Sequence, residues 1–161
     1  VLLGILWVAS SNHPVAQQLR EYAGSHTEGV GETVFLVKPR TLSSYKFTVP
    51  PGAANVVVSG QFSAAGGSEN DVQVYVLTDD NFVTLRSGYA AGTYYDSGRV
   101  AQSNINVALP FGGGAYYLVF DNRFSLQTPK TVHAVVTLHY NNWWPEILLR
   151  LREKILNALG M

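Results

Sequence analysis

The 161-residue chain has no cysteine. That absence removes disulfides, thiolate zinc sites and cysteine nucleophiles together. It leaves the compartment open, because an exported domain with a large enough core can do without disulfides. Charge is scarce as well: charged residues make up 14% of the chain and the formal net charge is zero. Lys and Arg are scattered from Arg20 onward and do not cluster before the C-terminal stretch. A surface that neutralises phosphates needs clustered cations, so nucleic acid is not an expected partner. Long apolar runs are missing too, the opening one being about half of the roughly 20 residues that cross a bilayer. What the chain does have is 47% hydrophobic residues, which argues against disorder. Its length suits one domain with a real core.

The opening run, "VLLGILWVAS", is closed by Ser-Ser-Asn. It reads as the outer end of a membrane helix that begins upstream, with Trp7 near the interface. A signal-peptide remnant and a buried helix remain open alternatives. Pro14 suits the first turn of a second helical stretch, "PVAQQLREYA", ended by Gly24. Residues 1–24 are therefore expected to be an apolar N-terminal helical segment. Residues 25–32 fall in the polar, glycine-rich stretch "GSHTEGVGE" and read as a linker.

From residue 33 to 140 the pattern changes to strands: "TVFLVKP", "SYKFTVP", "NVVVSGQFSA", "DVQVYVLT", "SGRVAQ", "INVALP", "AYYLVF" and "TVHAVVTLHY". They are short, rich in β-branched and aromatic residues, and bounded by Gly, Pro, Asn, Asp or Ser. In the last of them Val132, Ala134, Val136, Leu138 and Tyr140 share one face. His133, Val135, Thr137 and His139 share the other. Val56, Val58 and Phe62 alternate in the same way with Val57, Ser59 and Gln61, as do Ile105, Val107 and Leu109 with their neighbours. One interruption stands out, "DDNFVTLRSG", where Asp79 or Asp80 can cap a single helical turn. The expected fold is mainly β: an antiparallel, jelly-roll-like sandwich of about eight strands over residues 33–140. An N-terminal helix and a C-terminal amphipathic helix flank it.

The C-terminal helix is expected within residues 141–161. After "NNWWP", Ile147, Leu148, Leu151, Ile155 and Leu159 recur at helical spacing, with Pro145 just inside the start. Arg150, Arg152 and Lys154 fall mainly on other faces. Together with Trp143 and Trp144 the apolar stripe suits a partner or membrane interface.

Catalytic and metal constellations find little support. His133 and His139 share a strand face but lie six residues apart, about 20 Å at roughly 3.3 Å per residue, so one ion cannot bridge them. His13 and His26 have no ligand-type neighbours in sequence. No serine sits in a Gly-x-Ser-x-Gly elbow. The carboxylates Glu69, Asp71, Asp79, Asp80, Asp96 and Asp121 mostly stand at turns, where Asp bonds its own backbone. "GSENDVQVYVLTDDN" lacks the alternating oxygen ligands of a calcium loop. "PFGGGA" leads into a strand and so is no phosphate cradle. No metal and no cofactor is expected, and no enzymatic activity. Tyr89, Tyr94 and Tyr95 in "SGYAAGTYYDSG" read as a loop at one end of the sandwich. They either recognise a carbohydrate or peptide or plug the end of the sandwich.

In "GGGAYYLVFDNRFS" the run after the glycines is apolar on both faces. Tyr116, Leu118 and Phe120 point one way, Tyr117 and Val119 the other. This strand is therefore expected at the centre of a sheet with its outer face covered, the terminal helices being the first candidates for the cover. Asp121-Asn122-Arg123 reads as the turn that ends it, with Arg123 paired to Asp121.

The ordered string "YKFTVPPGAANVVVSGQFSAAGGSENDVQVYVL", "YYDSGRV", "INVALP", "GAYYLVFDNRFS" and "TPKTVHAVVTLHY" resembles bacterial GOLD-like β-sandwich domains. These are distantly related to the Golgi-dynamics domain of cargo-trafficking receptors. The resemblance covers residues 33–140 and implies a non-catalytic module for binding or assembly, with no catalytic residue to carry over. Many bacterial members look like single-pass membrane proteins with a cytoplasmic zinc ribbon, then a helix, then the sandwich outside. "VLLGILWVASSNHPVAQQL" stands where such an anchor would end. The stretch "NNWWPEILLRLREKILNALGM" departs from the pattern, in which the sandwich usually ends the protein.

The sequence thus leads to an extracytoplasmic interaction or assembly module, membrane-anchored, with secretion as the alternative location. Its expected partners are a protein or a second copy through the terminal helices, with membrane contact through the N-terminal segment. The alternative function is a carbohydrate- or peptide-binding sandwich using the Tyr89, Tyr94 and Tyr95 loop.

Overall fold

The computed structural model of the chain describes residues 24–67 and 69–142, together with Lys154. The two expected flanking helices, at 1–24 and 141–161, fall almost wholly outside these residues. The described part is mainly β, two antiparallel sheets with nine strands and one short helix. In chain order the elements are β1 Ser25–Gly29, β2 Val34–Val37, β3 Leu42–Val49, β4 Ala53–Ala65 and β5 Val72–Thr78. Helix α1, Asp79–Arg86, follows, and then β6 Tyr95–Val100, β7 Gln102–Ala108, β8 Gly114–Asp121 and β9 Lys130–Asn142.

The larger sheet runs β1-β9-β4-β7, with β2 also paired to β9, and the smaller runs β3-β8-β5-β6. Successive strands repeatedly change sheet, as β3 to β4 and β6 to β7 do, and this closes a core between the layers. β1 and β2 lie one after the other along the same edge of β9. Ser25–Gly29 pair with Asn141–Thr137, and Val34–Val37 pair with His133–Lys130. The supposed linker at 25–32 is thus in large part an edge strand. Its polar, glycine-containing sequence hid this, because an edge strand shows little alternation when both faces are wet.

The alternation seen in sequence is the layering of the core. Val132, Ala134, Val136 and Leu138 of β9 are buried, as are Val56, Val58, Phe62 and Ala64 of β4. They meet Val72, Val74 and Val76 of β5 and Leu118 and Phe120 of β8. Phe120 sits at the centre, edge-on to Phe35 at 4.9 Å, Phe62 at 6.1 Å and Tyr45 at 6.3 Å between ring centroids. One glycine is required by close approach. A Cβ on Gly60 would stand 2.1 Å from the Val135 carbonyl oxygen, so only glycine lets the middle of β4 lie this near β9.

The position of β8 agrees with its sequence, since it is hydrogen-bonded to β3 on one side and β5 on the other. The terminal helices expected to cover it lie outside the described residues. Among the described residues the element over its outer face is α1, whose Phe82 ring stacks on Tyr117 at 4.0 Å and 15°. Leu77, Phe82, Leu85 and Val119 form a second small core there. α1 is two turns long where one was expected, and its cap is neither Asp79 nor Asp80. Thr78 is the N-cap, accepting from the Asn81 N–H through Oγ1 at 3.3 Å, and the two aspartates follow in the first turn, where the helix dipole favours them. Phe82 and Leu85, three apart, are the face turned to the sheet.

Candidate functional site

The outward side chains of the larger sheet follow from its register, since paired residues point the same way. β4 contributes Ser59, Gln61 and Ser63, flanked by Val57 and Ala65. On β9 the facing residues are Thr137, Val135 and His133, with His139 and Thr131 beyond them. β7 adds Asn106, Asn104 and Gln102 opposite Ser59, Gln61 and Ser63. No Asp, Glu, Lys or Arg occupies an outward position on β4, β7 or β9. The outward positions of β1 and β2, Ser25, Thr27, Val34 and Leu36 among them, are uncharged too.

A groove of about 670 Å³ crosses this face. Its walls are the segments Gln61–Ser63 of β4, Gln102–Asn104 of β7 and His133–Val135 of β9, closed at one side by Thr33. A second hollow of about 340 Å³ continues it past Ser59, Gly60 and Thr137. Val135 is 57% exposed and supplies an apolar side chain beside the amides of Gln61 and Asn104. Among the described residues, the side chains of Gln61, Ser63, Gln102, Asn104 and His133 make no hydrogen bond to the rest of the chain. Elsewhere on the same face Ser59 Oγ lies 3.4 Å from Thr137 Oγ1, and the His139 ring nitrogens meet the hydroxyls of Ser25 and Thr27 at 3.1 and 2.9 Å. The groove thus holds a cluster of unengaged donors and acceptors, with Asn106 adding another opposite Ser59.

The tyrosines of "SGYAAGTYYDSG" do not form one loop surface. Tyr95 belongs to β6, and its hydroxyl donates to Ser103 Oγ at 3.2 Å and to the Asn104 carbonyl at 2.9 Å. Tyr94 packs edge-on against Tyr116 at 5.9 Å, part of an aromatic group that includes Phe47. Burial pushes the Tyr116 hydroxyl above its ordinary range. Tyr89 stands out into solvent at 72% exposed, and Tyr94 is 41% exposed beside its contact with Tyr116. The interface residues Trp143, Trp144, Ile147, Leu148, Leu151, Ile155 and Leu159 lie outside the described residues.

Four of the candidate carboxylates, Asp71, Asp79, Asp96 and Asp121, are engaged in separate structural contacts. Asp71 is buried and paired with Lys130 at 2.8 Å, and Asp79 meets Lys46 at 3.2 Å on the surface. Asp96 accepts from Gln73 Nε2 and from the Gly98 N–H, both at 2.8 Å. Asp121 holds Arg123 through both carboxylate oxygens, Nε at 3.0 and 2.9 Å and Nη2 at 2.6 Å. This hydrogen-bonded carboxylate raises the Arg123 pKa further, against the opposing effect of burial. Among the described residues, no three His, Asp or Glu come together as a metal site.

The Asp-Asn-Arg cluster does end the strand, and it has a further structural use. Arg123 Nη1 donates to the Leu85 carbonyl in the last turn of α1 at 2.7 Å, which ties the helix onto β8. Asn122 is fully buried and its Nδ2 donates to the carbonyls of Val37, Lys38 and Thr128. Replacing Arg123 by Gln removes the bidentate pair and the helix tie together. The expected cost is about 1–3 kcal/mol, with faster amide exchange confined to α1 if the tie is what holds it. Loss of protection spread evenly over both sheets would contradict that role.

No family model matches the chain, and no curated protein aligns with it. Among solved structures, it is similar to the carbohydrate-binding module TmCBM61, determined in complex with β-1,4-galactotriose. That alignment covers 74% of this chain and 91% of the module at 11% identity, with a TM-score of 0.32. A superposition of that quality carries no argument about what this chain does.

Proposed function

We propose that the protein is a non-catalytic binding and assembly module, anchored in a membrane by its N-terminal segment and displaying the sandwich outside the cytoplasm. The observation that carries the binding role is the uncharged outer face of the larger sheet, with its groove and its unengaged amides. A charged, fully solvated face needs no ligand to explain it. An uncharged one with free hydrogen-bonding groups around an exposed valine has the composition of a recognition surface. The resemblance of residues 33–140 to GOLD-like domains supports the same reading, as does the scattering of the acidic residues into structural pairs.

Two features support the anchoring. Residues 1–9 are almost wholly apolar. Ser25 pairs with Asn141, so the N-terminal and C-terminal segments join the sandwich side by side at one end. The groove lies toward the other end of β9, at His133–Val135. An anchor at the first end leaves the groove facing away from the membrane. The expected C-terminal amphipathic helix, with Trp143 and Trp144, starts at that same anchored end and suits lipid or a neighbouring subunit.

The carbohydrate- or peptide-binding alternative at the tyrosine loop would rest on Tyr89 and Tyr94, because the Tyr95 hydroxyl is engaged with Ser103 and Asn104. A single introduced cysteine tests the topology, because residues 1–161 contain none and the unsubstituted protein serves as the labelling control. Val83→Cys, on the exposed side of α1, is expected to react in intact cells with a maleimide that cannot cross membranes. Labelling only after lysis would place the sandwich on the inner side and end the proposal.

A further inference from the structure

We propose that the groove across β4, β7 and β9 is a binding site for an uncharged oligosaccharide. This rests on the reading of that face as the recognition surface and names its ligand class. Gln61, Gln102 and Asn104 each present two N–H donors and a carbonyl acceptor, and Ser63 and His133 add groups that do both. That is the equipment for vicinal hydroxyls, which donate and accept at once. Val135, 57% exposed, offers an apolar surface for the C–H side of a sugar ring. The volume, about 670 Å³, falls in the range of small-molecule sites, roughly 300–1,000 Å³.

The absence of charge does the selecting. A uronate, sulfate or sialate would enter a site with no cation to offset its desolvation, whereas a neutral sugar carries no such penalty. Other occupants match less well. A peptide strand adds to a sheet edge through backbone bonds, and the β4 and β9 backbone in the groove is already used in ladders, so such a strand would pair at the outer edge of β7 and not in the groove itself. A second copy would bring hollow against hollow and leave the amides facing a void. The apolar stripe of residues 143–161 would bury those amides without partners.

The test is titration of the full chain with neutral and acidic oligosaccharides of equal length, on wild type, on Gln61→Ala/Asn104→Ala and on Tyr89→Ala. Wild type is expected to bind neutral sugars at least about tenfold more tightly than acidic ones. The double variant should lose about tenfold or more at an unchanged denaturation midpoint, while Tyr89→Ala stays within about twofold. Equal affinity for acidic sugars, or loss at Tyr89 and not at the groove, overturns the proposal, as does binding to none. A photo-crosslinker on Val135→Cys then separates the two levels of the argument. If no sugar binds, cross-links from that position to a second copy, to residues 143–161 or to another protein refute the sugar and keep the face as an interface. No sugar and no cross-link removes both.

Discussion

Replacing Phe120 by Ala is expected to destabilise the sandwich by about 3–5 kcal/mol, the cost of deleting a large buried ring that the surroundings cannot collapse to fill. Phe120 has no exposed surface and sits where both sheets meet. Phe35 from β2, Tyr45 from β3 and Phe62 from β4 all present edges or faces to it. These come from both sheets and from the edge and the centre of the larger one, so no single strand can move inward to close the gap. Domains of this size are stable by only about 5–15 kcal/mol in total, so much of the margin disappears. Urea unfolding measures it as a fall in the midpoint, with Leu126→Ala as the control. Leu126 is 68% exposed and its truncation should stay within about 0.5 kcal/mol. A Phe120→Ala midpoint matching that control would mean the layers are not packed as described.

Replacing Lys130 by Met is expected to cost a similar amount, about 3–5 kcal/mol, for an electrostatic reason. Lys130 Nζ is buried and donates to Asp71 Oδ1 and to the Gly66 carbonyl, each at 2.8 Å. Removing the cation leaves the Asp71 carboxylate buried with its counter-charge gone and the turn at Gly66 with an unpaired acceptor. The pair itself need not be strongly stabilising, because desolvation of both ions offsets most of their attraction. Hence the double replacement Lys130→Met/Asp71→Asn should recover much of the loss. A double-mutant cycle reads this as a coupling of more than about 1 kcal/mol. Additive losses would show that the two groups are not desolvated together.

The pair also illustrates what sequence reading misses. Asp71 was legible as a turn carboxylate beside Asn70, and Lys130 as the residue before a strand. Nothing local says that they meet across 59 positions. The same holds for the cover of β8. That Tyr117 and Val119 need shielding is written in the run "AYYLVF", since an apolar residue at every position cannot leave a face in water. Which element shields them is a matter of chain path. α1 follows β5 directly and β5 lies next to β8, so the short helix is delivered to that spot.

The candidate site divides in the same way. The uncharged outward residues of β4, β7 and β9 could each be read from alternation, and Val135 among them marks an odd apolar residue on a polar face. Their union into one surface needed the order β9-β4-β7, which strand patterns alone do not supply, because a strand's sequence says which side is buried and not which neighbour it takes. Of the three tyrosines read as one loop, Tyr95 starts β6 and is tied to Ser103 and Asn104, while Tyr89 and Tyr94 are exposed.

By itself, then, the sequence determined the fold class, the positions of the strands from β2 to β9, the inward faces of β4 and β9 and the central place of β8. All of these are consequences of period-two burial and turn chemistry acting over a few residues. Tertiary structure alone decided that residues 25–29 are an edge strand, that α1 packs over the outer face of β8, and that an uncharged groove exists. Each of those depends on which distant segments become neighbours, and the pairing of strands is settled by how the whole chain can bury its apolar faces at once.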